Sequence, residues 1–315
     1  MAGAFTIARG AKTHVDVVVA TVTDSVATGA AATGRGEATA IYYHGETAEG
    51  MRDQLLALDR PDPALLPRGA ARNALDAALW DLRARRAGIP EWRLAGLIAP
   101  QPMVTAFTIS LGEPDRMEAD ARAAAGRYPL LKLKLAGEGD LDRVAAVRRG
   151  APDARLIVDA NEAWTGRDVA AEATALLPFG VELIEQPVKA GLDHLLDGVT
   201  SPIPLCADES CQDRADLPAL AGRYAAINVK LDKAGGLTEA LALIAEARAA
   251  GFEIMVGCML CTSLAIAPAF LAAQGARWVD LDGPLLLARD RDGGFSFAGG
   301  VVTPGSAALW GEGAG

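Results

Sequence analysis

Lys132, Lys134, Asp159, Glu185, Asp208 and Lys230 lie in or just after short apolar runs, and from Lys134 onward they follow one another at intervals of 22 to 26 residues. That interval is about the length of one strand, one helix and two loops, so the pattern can bring distant charges onto one rim of a barrel. Three carboxylates gathered there would repel each other unless a cation joined them. Lysines beside such a cation are suited to taking a proton from carbon.

The details support this chemistry. Lys132 and Lys134 alternate with Leu131, Leu133 and Leu135, so both lysines share one face of a strand. Asp159 ends Leu-Ile-Val-Asp, Glu185 ends Leu-Ile-Glu and Asp208 follows Leu-Cys-Ala, which puts each carboxylate at the same end of an apolar strand. A hard divalent ion held by oxygen ligands resolves their repulsion, and Mg²⁺ fits best. The plainer readings are a solvated edge strand for Lys-x-Lys and helix capping for the acids. Both would have to coincide by chance. Lys230 ends Ile-Asn-Val-Lys, where the sheet fixes its direction; Lys233 falls in the following loop and reads as a surface or supporting charge. Metal and partner lysine are expected to lower the proton affinity of each base.

From about residue 100 a β-rich apolar run, a polar end and a helical segment repeat. The strands expected are Met103–Ile109, Leu130–Leu135, Arg155–Val158, Val181–Ile184, Ile203–Ala207, Ala226–Val229, Glu253–Val256 and Trp278–Leu281. Eight parallel strands joined by seven helices, as over Leu237–Ala250, predict an α/β fold: a (β/α)7β TIM-type barrel over 101–287, working at the carboxyl end of its strands. Residues 1–100 read as an α+β capping domain, with strands Val15–Val22 and Ala38–Tyr43 and helices Ala48–Leu58 and Gly69–Ala87. Residues 288–315, rich in Gly and Pro, are expected to pack on the cap.

Composition sets the limits. The chain has 315 residues, is 51% apolar and carries a net charge of −10, enough for a real core and without the basic patch nucleic acid requires. No apolar run approaches a membrane span and no targeting segment is visible, so a cytoplasmic protein is expected. Cys206, Cys211, Cys258 and Cys261 lack disulfide-framework or zinc-site spacing, and His14, His44 and His194 share no ligand spacing. His44, after Tyr42 and Tyr43, is a residue that could face a substrate from the cap.

Lys-Leu-Lys, Val-Asp-Ala-Asn-Glu, Glu-Gln-Pro, Ala-Asp-Glu-Ser and Asn-Val-Lys-Leu-Asp-Lys-Ala-Gly-Gly resemble the enolase superfamily in its muconate-lactonizing subgroup. Asp280-Leu-Asp282-Gly-Pro is similar to the Asp-x-Asp of dipeptide epimerases. Gly69-Ala-Ala-Arg-Asn-Ala-Leu-Asp, Cys206-Ala-Asp-Glu-Ser-Cys and Gly257-Cys-Met-Leu-Cys-Thr-Ser resemble the enterobacterial members acting on L-Ala-D/L-Glu. The resemblance spans nearly the whole chain. It implies Asp159, Glu185 and Asp208 as Mg²⁺ ligands, Lys134 and Lys230 as acid/base residues on opposite faces of a substrate carbon, and Lys132 as the contact to the carboxylate being enolised. It further implies Asp280 and Asp282 as the site of a substrate ammonium, and Thr108, Leu260, Cys261 and Thr262 as substrate-lining. Arg9, in Phe-Thr-Ile-Ala-Arg-Gly, is similar to the region that meets a glutamate side chain. Family members begin with an extra strand before that segment, so a misplaced start or an abbreviated cap is expected here.

The resemblance therefore implies a Mg²⁺-dependent epimerase of L-Ala-D-Glu and L-Ala-L-Glu, working by two-lysine proton transfer through an enediolate in cell-wall peptide recycling. The alternatives on the same scaffold are another dipeptide epimerase, an N-acylamino acid racemase, o-succinylbenzoate synthase or muconate cycloisomerase. A non-catalytic peptide-binding scaffold is the alternative of another class. The expected partner is a small dipeptide, with no nucleic acid and no membrane, and the oligomeric state is left open, a homo-oligomer included.

Overall fold

The computed structural model describes residues 5–7, 10–24 and 32–311; Arg9 lies outside the described residues. The cap begins with β1 (Phe5–Ile7) antiparallel to β2 (Gly10–Lys12), then β3 (Val17–Thr23) antiparallel to β4 (Thr33–Thr39). A 3-10 turn over Tyr42–His44 leads to α1 (Ala48–Leu56), α2 (Ala70–Ala87) and the single turn α3 (Glu91–Leu94). Alanines line α2, and Gly88 ends it in the left-handed conformation, φ 60°. The second cap strand lies earlier than the expected Ala38–Tyr43 because Gly34 and Gly36 let β4 run against α2. A Cβ on either would come within 2.1 Å of Ala78 O or 2.2 Å of Ala74 O. Ala20, Ala38, Met51, Leu66, Ala74, Leu75 and Ala78 form the cap's own core.

The barrel strands are β6 (Phe107–Ile109), β7 (Leu130–Lys134), β8 (Arg155–Asp159), β9 (Val181–Glu185), β10 (Leu205–Ala207), β11 (Ala226–Val229), β12 (Glu253–Gly257) and β13 (Trp278–Asp280), paired in parallel in chain order. Ala106 N donates to Val279 O at 2.8 Å and so joins the first strand to the last. The expected run Met103–Ile109 is divided. Its start, β5 (Met103–Val104), pairs with the tail strand β14 (Val301–Val302), while Thr105 N turns to Gly300 O.

Helices α4 (Pro114–Ala124), α5 (Asp140–Gly150), α6 (Val169–Leu176), α7 (Leu217–Leu220), α8 (Leu231–Ala234), α9 (Leu237–Ala249) and α10 (Ser263–Ala272) cover the outside. One crossover departs from the expected seven helices: the described residues 186–204, punctuated by prolines and glycines, hold a 3-10 turn at Asp193–Leu196 and no α-helix. The tail reaches the cap where Trp310 Nε1 donates to Ala77 O at 3.0 Å and Arg35 Nη2 donates to Ala308 O at 2.9 Å. No described helix is long and apolar enough to cross a membrane.

Candidate active site

The barrel interior is layered by the two-residue period of its strands. Ala106, Leu130, Ile157, Leu183, Cys206, Ala226, Met255 and Trp278, one from each strand or its edge, pack into an apolar floor. Two residues further along each strand, the same inward direction belongs to Thr108, Lys132, Asp159, Glu185, Asp208, Asn228, Gly257 and Asp280. The step from floor to mouth is thus a step from hydrocarbon to charge.

Asp159, Glu185 and Asp208 are buried, and one oxygen from each lies within 4.8 Å of the others. Lys134 Nζ is 2.6 Å from Asp159 Oδ2, and Lys230 Nζ is 2.6 Å from Asp208 Oδ2. Lys132, 1% exposed, touches both sides of the mouth: its Nζ is 2.6 Å from Glu185 Oε2, 3.2 Å from Asp159 Oδ2 and 2.8 Å from Asp280 Oδ2. Asn228 Nδ2 donates to Glu185 Oε1 at 2.7 Å. Glu185 Oε2 accepts no well-directed hydrogen bond. An all-oxygen donor set, in which Glu185 Oε2 meets only the Lys132 ammonium, fits a hard cation.

Electrostatics divides the three acids. Burial would raise all of them, but the Lys134 and Lys132 ammoniums hold Asp159 down to about 2, and Lys230 and Lys233 hold Asp208 well below its usual range. For Glu185, burial reinforced by the Asp159 charge wins and pushes it up to about 8. Burial pulls Lys230 down, yet the Asp208 carboxylate holds it well above the ordinary lysine range.

Strand ends fix these positions. Asn161 N donates to Asp159 Oδ1 at 2.9 Å, while Asn161 at φ 42° and Gln186 at φ 37° are non-glycine residues with positive φ beside the acids. Gln186 Oε1 accepts from Asp208 N and Ser210 N, at 2.8 and 3.1 Å, tying the end of β9 to the loop after β10. Lys233 is buried rather than on the surface, its Nζ 2.7 Å from Asp208 Oδ1 and 3.0 Å from Asn228 O. Gly257 leaves room for the bases: a Cβ there would sit 2.7 Å from Asn228 Oδ1 and 3.2 Å from Lys230 Cε.

On β13's side, Asp282 Oδ2 accepts from Thr108 N at 2.7 Å. Burial, then the charge of Asp280, pushes Asp282 up to about 7. Asp280 Oδ1 is buried without a donor.

These groups surround a cavity of about 200 Å³, the space of roughly seven waters, which suits a small organic molecule. Thr108, Lys132, Lys134, Asp208, Lys230, Leu260, Asp280 and Asp282 line it. Asp159 and Glu185 are not on its lining and touch the lining residues Lys132 and Lys134. Cys261 and Thr262 are not on this wall: Cys261 packs into the core, and Thr262 caps α10. His44 is exposed and pairs with Gln212, at 2.7 Å between their nitrogens. The sequence reading left Asn228, Asn161, Gly257 and the cap residues Thr39, Tyr42 and Tyr43 unmarked. Asn228 and Gly257 stand at the inward positions that the floor layer defines, and Asn161 lies in the turn just after β8; no local signal marks the cap residues.

Residues 116–308 match the family model Enolase C-terminal domain-like. The chain is 44% identical to the L-Ala-D/L-Glu epimerase of Escherichia coli (strain K12), over 95% of this chain and 94% of that one. It is 48% identical to an N-acetyl-D-glutamate racemase of Pseudoalteromonas sp, over 78% of each. A crystal structure of an enolase family member from Agrobacterium tumefaciens with homology to dipeptide epimerases, with bound sodium and L-Ala-L-Glu, superimposes with a TM-score of 0.92 at 47% identity, covering 98% of this chain and 96% of that one.

Proposed function

Because the chain belongs to the enolase C-terminal domain-like family and is an isomerase acting on amino acid derivatives, we propose that its substrates are L-Ala-D-Glu and L-Ala-L-Glu and its cofactor Mg²⁺. The observation that carries this is angular. Lys134 ends the second barrel strand and Lys230 follows the sixth, so in an eight-strand barrel they face each other across the mouth. The carboxylate strands β8, β9 and β10 lie between them on one side. Asp280, on the last strand, faces them from the other.

A dipeptide fills this plan in one orientation. Its C-terminal carboxylate turns to the side of Asp159, Glu185 and Asp208, which would hold the cation, and its ammonium turns to Asp280 and Asp282. When bound, Mg²⁺ supplies positive charge to that carboxylate as the α-hydrogen leaves. Lys132 Nζ stands where it can donate to the same carboxylate. Asp208 holds Lys230 and Asp159 holds Lys134, each at 2.6 Å, and a cation shared by these carboxylates would loosen both holds. One lysine, uncharged, takes the α-proton from its face; the other, as ammonium, returns one from the opposite face. The carbon is inverted and the proton count is unchanged. We place this reaction in the recycling of cell-wall peptides in the cytoplasm.

A second reading, racemisation of an N-acylated glutamate, is favoured by the Pseudoalteromonas relative. It leaves Asp280 Oδ1 facing an amide instead of a cation, a costly placement for a buried carboxylate. The deciding experiment is proton NMR in deuterated buffer with Mg²⁺. Loss of the glutamyl α-hydrogen signal from L-Ala-L-Glu, with growth of the L-Ala-D-Glu isomer, is expected. Absence of exchange from every Ala-Glu isomer would overturn the reading, and exchange from N-acetylglutamate alone would select the second.

A further inference from the structure

We propose that Glu37 of the cap, with Arg291 of the tail, is a positioning pair that sets the substrate wall Cys258–Leu260, an inference that rests on the cavity being the dipeptide site. This wall leaves β12 at Gly257 and enters α10 at Ser263. Cys258, Met259 and Leu260 line the cavity. The backbone at its far end is held largely from the cap.

Glu37 is fully buried. Its Oε1 accepts from Thr262 N at 2.8 Å, and its Oε2 accepts from the Thr262 hydroxyl at 2.6 Å and from Arg291 Nη2 at 2.6 Å. Arg291 Nε closes the triangle by donating to Thr262 Oγ1 at 2.7 Å. Two residues along the same strand, and hence on the same face, the Thr39 hydroxyl donates to Leu260 O at 2.8 Å. The loop after β8 is held otherwise: Asn161 N bonds Asp159, and Glu162 N bonds Gln186 O, both within the barrel. The barrel therefore aligns its own acid-bearing loop, whereas the cap and tail align this one.

Alignment here reaches the amine end of the site. Gly283 follows Asp282, and a Cβ on it would lie 2.9 Å from Met259 O and 3.1 Å from Cys261 Sγ. With that little clearance, a shift of the wall displaces the Asp282 turn. Glu37 touches neither the bases nor the acids, so breaking its contacts changes how substrate is held and not how its proton moves.

The test uses the full-length protein with Mg²⁺ and L-Ala-L-Glu. Glu37→Gln, and the milder Arg291→Met at a partly exposed side chain, should raise KM about tenfold with kcat within about twofold. Arg291→Lys, which keeps the charge but not the planar fork, should fall between. A readout independent of catalysis is iodoacetamide labelling, resolved by peptide mass. In Glu37→Gln the buried Cys261 should react about fivefold faster or more, while Cys206 and Cys211, buried in the barrel, stay protected. With an active wild type, an unchanged KM, or a loss confined to kcat, overturns the proposal. With a wild type inactive on every dipeptide, the proposed function fails by itself, and the labelling decides: selective exposure of Cys261 supports positioning, and no change, or equal exposure of Cys206 and Cys211, overturns it.

Discussion

The two groups of carboxylates in the barrel mouth are both buried, yet they are neutralised in different ways. Asp159, Glu185 and Asp208 meet the ammoniums of Lys132, Lys134, Lys230 and Lys233 at 2.6 to 3.2 Å. Asp280 and Asp282 have one contact with Lys132, one with a backbone amide, and an orphaned oxygen. The first group converges at the separation a small ion can bridge. The second stands beside open cavity, and the one ammonium it meets, that of Lys132, is shared with Asp159 and Glu185. A metal and an organic ammonium would satisfy them respectively, and Lys132 is the only described side chain that touches both.

Replacing one acid on each side breaks the comparison most sharply. Glu185→Gln keeps volume and removes a metal-facing charge; turnover should fall about a thousandfold on every substrate, several kcal/mol of lost charge stabilisation, and the heat of Mg²⁺ binding in calorimetry should disappear. Asp280→Asn should act selectively, raising KM about a hundredfold for free dipeptides while leaving N-acetylglutamate nearly unaffected. Equal losses on both substrates would mean that the pair shapes the barrel and does not read an ammonium.

The two sides were unequally legible in the sequence. Lys134, Asp159, Glu185, Asp208 and Lys230 were visible because a strand that is apolar to its last residue and then charged is a costly pattern without a purpose. Asn228 and Gly257 obey the same two-residue period, but an amide and a glycine carry no charge to betray them. Glu37 and Thr39 were illegible for a different reason: their partners Thr262 and Leu260 lie 225 and 221 residues away, and no local pattern encodes such pairing. The division of Met103–Ile109 likewise depends on a distant carbonyl, that of Gly300.

The amine side also has its own pH dependence. Burial and the charge of Asp280 push Asp282 up to about 7, and under the proposed function the ionised form is the one that would hold an ammonium. KM for L-Ala-L-Glu should therefore fall as pH rises through about 7, then rise again beyond roughly 8 as the substrate's own amine loses its proton. In Asp282→Asn the lower limb should vanish and the upper remain. If the lower limb survives that substitution, another group is responsible for it.

Asp232 shows what a buried carboxylate does with neither metal nor ammonium to meet it, and here the effect is smaller and falls on stability. It lies where the cap meets the barrel, its Oδ1 accepting from Thr39 N at 3.0 Å and Asn73 Nδ2 at 3.1 Å. Burial outweighs these bonds and pushes it up to about 6. The folded protein thus holds this proton more tightly than the unfolded chain, whose aspartates titrate at about 3.9. Its stabilising contribution is full below that unfolded value and is lost as pH rises to about 6, amounting to roughly 3 kcal/mol. Asp232→Asn keeps an acceptor for both donors and cannot ionise. In urea unfolding the variant should match wild type near pH 4 and exceed it by roughly 2 to 3 kcal/mol at pH 7. A difference that does not change with pH would mean that Asp232 is ionised at little cost, and that the junction of cap and barrel screens charge as the metal side of the mouth does.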